Sequence, residues 1–414
     1  MKSKDYYKVA GKCNKAIWEA GKYLGHQIKG GNNKVVAEEV IEKNYRTPYI
    51  MPEPNKTLIY HDSWGQVDTD PFLDDIEQVF FENGIMARLE DVTQGPTLTQ
   101  FKMTLKELKH YDKVLKLERQ IQAATNVPGV AITQQGKYVS IEIPCYVDAL
   151  RLGDVLIDNN FNKGEGLTVA IGRAIDGSNV LADIDKLKHI LIAGASGSGK
   201  SMFVQGMILS LLMKQTPDDI EMYMVDPKMV EYTFYNPLPH CTVVTETKDA
   251  ISLLNKLTNT MDDRYGILSE AGCRDIESYN EQHPDNKMKR IVLFIDELAD
   301  LMQTSKNIVE ASIVRIAQKA RACGIHMVLA TQYPVASVVT GLIKANMPTK
   351  VCFAVTNPTA SVVMLGQGGA EKLMGKGDML YQTEKDIRPI RLQGGLIEEK
   401  EIYRVVGTLM KNQI

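Results

Sequence analysis

The chain has 414 residues, with 48 Lys and Arg against 51 Asp and Glu, a net charge of −3. That length holds about two to three domains, and the balanced charge excludes a bulk polycation, so any nucleic-acid surface must be a local patch or the lining of a ring. Six cysteines stand singly with no C-x-x-C, which argues against structural zinc and a disulfide framework and suits a reducing cytosol; no apolar run reaches the ~18 residues of a membrane span.

Residues 1–69 read as an N-terminal helical and linker segment. Residues 6–28 fit an amphipathic helix with Val9, Cys13, Ile17, Ala20 and Leu24 on one face, and residues 35–41 fit a second. Pro48, Pro52 and Pro54 then break the pattern into a linker. A small helical cap, or a docking segment for a recruiting protein, is the expectation here.

Residues 70–150 read as a small α+β domain. A helix is expected over 71–83, with Phe72, Ile76, Val79 and Phe80 on its apolar face, and strands over 85–92 and 98–103. Thr104-x-x-Glu107 has the form of a capping box and predicts a helix running through Ala124. On such a helix Lys106, Lys109, Lys113 and Lys116 form one basic stripe, a solvated face or a DNA-facing one. Strands over 129–133 and 137–143 close the unit.

Residues 151–414 read as an α/β motor domain. Strands are expected at 168–171, 190–193, 220–225, 291–295, 326–330 and 350–355, with helices at about 200–213, 248–271 and 306–322. Short apolar strands without alternation mean a mostly parallel sheet buried on both faces.

The most informative stretch is 189–203. An apolar strand leads into Gly194-Ala195-Ser196-Gly197-Ser198-Gly199-Lys200-Ser201, and Met202 and Phe203 continue into an apolar helix. This is the P-loop pattern G-x-x-x-x-G-K-[ST] at every defined position. The glycines let successive N–H groups turn inward onto phosphate oxygens, and the helix start adds its dipole. Lys200 is then placed to reach the β- and γ-phosphates of ATP, and Ser201 to ligate Mg²⁺. The wholly apolar strand 291–295 ends in Asp296-Glu297. Asp296 suits the Mg²⁺ coordination sphere, and Glu297 suits polarisation of an attacking water. Strand 326–330 ends in Thr331-Gln332, polar groups able to sense a γ-phosphate, and Asp226 ends another strand. Several strand ends thus converge on one crevice, where α/β sheets bind ligands.

Longer segments carry a resemblance. They are 189–201, 225–231 (Val-Asp-Pro-Lys-Met-Val-Glu), 294–302, 317–326, 340–349 and 375–381 (Gly-Lys-Gly-Asp-Met-Leu-Tyr). In this order and spacing the chain resembles the motor region of the FtsK/SpoIIIE family of DNA translocases, from about residue 70 to about 405. The resemblance implies a RecA-like P-loop motor that assembles as a homo-hexameric ring and moves double-stranded DNA with ATP and Mg²⁺. It also implies that Arg321 is an arginine finger reaching a neighbouring subunit's γ-phosphate, and that Lys344 contacts DNA. The chain departs from the family where Tyr333 replaces an arginine before Pro334, and where Pro358 and Val362 stand at positions that tend to be basic. Tyr333, Lys344 and Asn357 remain as DNA-gripping candidates. Two family features, N-terminal membrane helices and a C-terminal winged-helix module, are not expected in these residues. Two alternatives stand beside the duplex-DNA reading: a related motor moving single-stranded DNA or protein, and a P-loop phosphotransferase acting on a small molecule.

Overall fold

The structure is a computed structural model, which describes residues 49–61, 67–95, 97–145, 149–164 and 166–412. The helices expected over 6–28 and 35–41 lie outside the described residues. The chain divides into two units, 1–50 with 407–414, and 51–406. In the first, Ile50 N donates to Asn412 Oδ1 at 2.7 Å, and Asn412 Nδ2 donates to Ile50 O at 3.0 Å.

The second unit begins with a strap. Part of the expected linker is docked against the motor: Ile59 N donates to Glu401 Oε1 at 2.7 Å and His61 N to Asp154 Oδ1 at 2.5 Å. Its backbone passes so close to Gly153 that a Cβ there would lie 2.2 Å from the Ile59 carbonyl oxygen.

The small α+β domain is a four-stranded antiparallel sheet of β1 (Ala87–Gln94), β2 (Leu98–Leu105), β3 (Ala131–Gln135) and β4 (Tyr138–Pro144), ordered β1-β2-β4-β3. Helices α1 (Asp70–Glu82) and α2 (Glu118–Thr125) cover one face, burying Ile76, Val79, Phe80 and Ile121 against Phe101, Met103, Val139 and Ile141. The helix expected from the Thr104 capping box does not form there. Thr104 instead continues β2, paired with Arg88 and Tyr138. Cross-strand pairing on both sides outweighs a local cap. Beyond it come a 3₁₀ turn (Leu108–His110), one helical turn (Tyr111–Val114) and then α2. Lys106, Lys109, Lys113 and Lys116 are all exposed, but they sit on separate pieces and make no single stripe.

The motor is a ten-stranded sheet, ordered β6-β5-β14-β13-β12-β7-β11-β10-β8-β9. Its strands are β5 (Thr168–Ala174), β6 (Asn179–Asp183), β7 (Ile190–Ala193), β8 (Ile220–Val225), β9 (Cys241–Val244), β10 (Arg290–Ile295), β11 (Ile325–Thr331), β12 (Thr349–Phe353), β13 (Asp378–Gln382) and β14 (Ile390–Gln393). The run from β12 to β9 is parallel throughout. The other four strands form an antiparallel wing, so the strand expected at 168–171 belongs to the wing.

Along the parallel strands alternate residues bury to opposite faces. Leu191, Tyr223, Val225, Leu293, Ile295 and Leu329 join a core with α4 (Thr247–Glu270) and α5 (Leu298–Lys319). Helix α3 (Lys200–Leu212), apolar almost all round, is buried along nearly its whole length. Helix α5 begins directly after Asp296-Glu297, earlier than the expected 306, and is interrupted by a non-helical Ser305 (φ −151°, ψ 56°).

Candidate nucleotide site

The P-loop is rooted in the ends of the strands on either side of β7. Gly194 N donates to Thr331 O at the end of β11, and Ala195 N donates at 2.9 Å to Ala354 O just past β12. Gly199 begins the helix with φ +107°. A Cβ at Gly199 would lie 2.5 Å from Gly377 N, whose N–H donates to Ser198 O at 2.8 Å. Two turns therefore interlock, and only glycine satisfies both the left-handed backbone and the contact. The buried Ser198 hydroxyl has no protein partner.

Lys200 is 3% exposed and donates to both the Asp296 carbonyl and Asp296 Oδ1, each at 2.9 Å. Strand register explains the meeting, since β7, β11 and β10 are adjacent and parallel and their carboxyl ends line up. Glu297 is fully buried. Its Oε1 accepts from Thr331 Oγ1 at 2.6 Å and Ala299 N at 3.2 Å, and its Oε2 from Gln332 N at 3.0 Å. In this arrangement Glu297 caps α5 and holds the Thr331–Gln332 turn.

A cleft of about 570 Å³ opens over the loop, lined by Ala195, Ser196, Gly197, Gly199, Lys200, Ser201 and Met202 on one side. Gln332, Glu231, Lys376 and Gly377 contribute to its walls. Glu231, the last residue of the segment 225–231, belongs to neither the P-loop pattern nor the acid pair, yet it stands in this wall. It is half-buried and lines the same cleft as Ser201. Burial raises its pKa above the ordinary carboxylate range, with Asp296 and Asp226 adding to the rise; the Ser201 hydroxyl and the Lys200 charge oppose it.

The remaining candidates lie elsewhere. Arg321 is exposed, in the 3₁₀ turn Ala320–Cys323 that precedes β11. The chain's own P-loop meets the opposite end of β11, on the order of 20 Å away along the strand. Tyr333 is 61% exposed just past β11. Asn357 follows β12 and is exposed, but its Oδ1 is committed to capping α7 (Pro358–Leu365) through Ala360 N at 2.9 Å. Lys344 is partly buried in α6 (Gly341–Asn346), which leads into the start of β12; its charge helps burial to lower the Lys350 pKa. Tyr333 and Asn357 thus lie at the carboxyl ends of these central strands, and Lys344 stands nearer the amino end of β12.

The donor set fits a nucleoside triphosphate with Mg²⁺: a glycine-rich loop leading into a helix start, a buried lysine, a hydroxyl beside it and acids at strand ends. Fold and loop together define a RecA-like P-loop nucleoside triphosphatase with a mostly parallel sheet. The chain belongs to the FtsK/SpoIIIE family. The model of that family matches residues 151–336, and the FtsK alpha domain matches 63–145. A protein named DNA translocase FtsK from Caldanaerobacter subterraneus subsp. tengcongensis is 41% identical over 81% of this chain and 48% of its own length. DNA translocase SpoIIIE of Bacillus subtilis is 38% identical over 82% of this chain and 45% of its own. The chain therefore spans about half the length of the curated relatives it matches. Among solved structures, the pCW3 conjugation coupling protein TcpA, a monomer form with ATPγS, is similar with a TM-score of 0.58 and 25% identity, covering 80% of this chain and 96% of that one. Among the described residues no helix is long and apolar enough to cross a membrane.

Proposed function

We propose that this chain hydrolyses ATP and couples hydrolysis to movement of double-stranded DNA, as one subunit of a homo-hexameric ring. The observation that carries the reading is the convergence of Lys200, Ser201, Asp296 and Gln332 around one cleft, in a chain whose relatives are named DNA translocases.

Each residue has a task that follows from its place. The P-loop N–H groups and the start of α3 bind the phosphates. Lys200 exchanges its Asp296 partner for phosphate oxygens, which leaves Asp296 and the Ser201 hydroxyl to hold Mg²⁺. Bound Mg²⁺ neutralises charge on the phosphates. Glu297, once released from the Thr331–Gln332 turn, orients the attacking water, and Gln332 follows the terminal phosphate from the cleft wall. Arg321, exposed and remote from its own P-loop, suits insertion into a neighbour's site, where a planar cation stabilises transition-state charge.

The DNA grip assigned to Tyr333, Lys344 and Asn357 is lean in charge. One cation and two polar groups per subunit, repeated around a ring, make a sequence-independent contact through multivalency. That leanness, with the capping role of Asn357, favours a second reading in which the cargo is single-stranded DNA or a protein.

The test is steady-state ATP hydrolysis by the purified chain with long linear duplex, single-stranded DNA or neither, at rising salt. Stimulation by duplex that fades as salt rises is expected, because phosphate contacts release counterions. Hydrolysis indifferent to duplex at every salt overturns the duplex reading, and stimulation by single strands alone supports the second.

A further inference from the structure

Glu231 is held in the cleft by a framework that no phosphate contact requires. Asp226, at the end of β8, accepts through Oδ2 from Glu231 N at 2.9 Å and Tyr232 N at 3.0 Å. Between them Met229 adopts a left-handed φ of +56°, an unfavourable backbone for a side chain of that size, while 55% exposed. Gln205 Nε2, on the same helix as Lys200, donates to Glu231 O at 2.5 Å, and Gln205 Oε1 accepts from the buried Tyr235 hydroxyl. Asp226 thus closes the loop on itself and Gln205 ties its far part to the P-loop helix, with Glu231 on the wall of the cleft that Ser201 also lines.

A carboxylate in that position repels a triphosphate unless a cation lies between them. Among the described residues no three acidic, histidine or cysteine side chains are gathered tightly enough to hold a metal alone. A Mg²⁺ ion here is therefore recruited jointly by protein and phosphates, as its preference for few carboxylates, water and phosphate oxygens dictates. We propose that Glu231 is the third oxygen-bearing side chain of the Mg²⁺ site, beside Ser201 and Asp296, and that it makes nucleotide binding depend on the metal. The inference rests on the ATPase reading above.

The experiment uses the full chain and a fluorescent ATP analogue, titrated with excess chelator and with rising Mg²⁺, and compares the parent with Glu231→Gln. In the parent, Mg²⁺ tightens binding. In E231Q the half-saturating Mg²⁺ concentration rises about ten-fold, while metal-free affinity stays equal or improves, because a repulsive charge has gone. Mn²⁺ bound in the presence of the same analogue, read by paramagnetic resonance, weakens in parallel. Should E231Q fail to fold, Glu231→Asp, which keeps the charge and shortens its reach, gives the same shift in smaller measure. An E231Q protein with the parent's Mg²⁺ dependence, or with metal-free binding as impaired as metal-bound binding, overturns the inference alone. A parent that binds no nucleotide under any condition overturns the ATPase reading, and this inference with it.

Discussion

At Lys200 the motif and the fold ask different things of one side chain. The motif needs an ammonium for phosphates, and the fold gives that ammonium to Asp296 in a pair where both side chains are at least 95% buried. Removing one partner of such a pair leaves the other charge stranded. Lys200→Ala is therefore expected to act twice. Hydrolysis should fall at least ~100-fold, since a principal cation of the transition state is gone, and the nucleotide-free protein should lose about 3 kcal/mol of stability. Turnover assays and denaturant unfolding check the two separately; near-normal turnover would remove Lys200 from the site. The lysine and its serine were legible from local spacing. The cap and turn contacts of Glu297 and the place of Glu231 on the cleft were not, because their partners come from the next strand or a separate loop.

At the level of elements, β7 and β11 are joined at their starts by a buried histidine pair. His189 is 1% exposed and accepts through Nδ1 from Met327 N at 3.1 Å, an acceptor role open only to a neutral ring. Burial, reinforced by neighbouring His326 and Lys188, lowers its pKa to about 3. The sign follows. As pH falls through about 6.5 the unfolded histidine takes up a proton, and the folded one does not until about 3. Stability contributed by the neutral ring is present above about pH 6.5 and is lost progressively below it. Tm of the parent should drop between pH 7 and pH 5, and His189→Asn, which keeps an acceptor without a titrating ring, should show a shallower slope over that range. Equal slopes would place the pH dependence elsewhere.

Across the whole unit the small domain is tied to the motor through charge. Arg391 on β14 pairs with Asp378 at 2.7 Å within the wing and with Glu142 on β4 of the small domain, the Arg391 and Glu142 side chains being 10% and 7% exposed. Both acids lift the Arg391 pKa further despite burial. Nearby, Thr97 Oγ1 donates to Gln393 Oε1 at 3.2 Å, and Gln393 Nε2 donates to Lys376 O at 2.8 Å, next to the Gly377 that bonds the P-loop. Phosphate loop and small domain are thus linked through Gln393 and the adjacent residues Lys376 and Gly377. Glu142→Ala should destabilise the folded chain by about 3 kcal/mol, because a buried guanidinium loses one of two carboxylates; urea unfolding measures it, and an unchanged midpoint would make the tie energetically idle.

The sequence by itself determined the P-loop, the apolar strands and the acid pair ending one of them, because each is written in adjacent residues whose chemistry is local. It determined α1 and the strands of the small domain for the same reason: their periodicity is that of the surface they bury. Only the tertiary structure decided that Thr104 extends a strand instead of capping a helix, that 168–171 joins an antiparallel wing, and that Asn357 spends its carbonyl on a cap. It alone brought Glu231 to Ser201 and Gly377 to Gly199. These outcomes depend on which segments become neighbours. Pairing with a partner distant in sequence, worth more than any local preference, is settled only when the sheet closes.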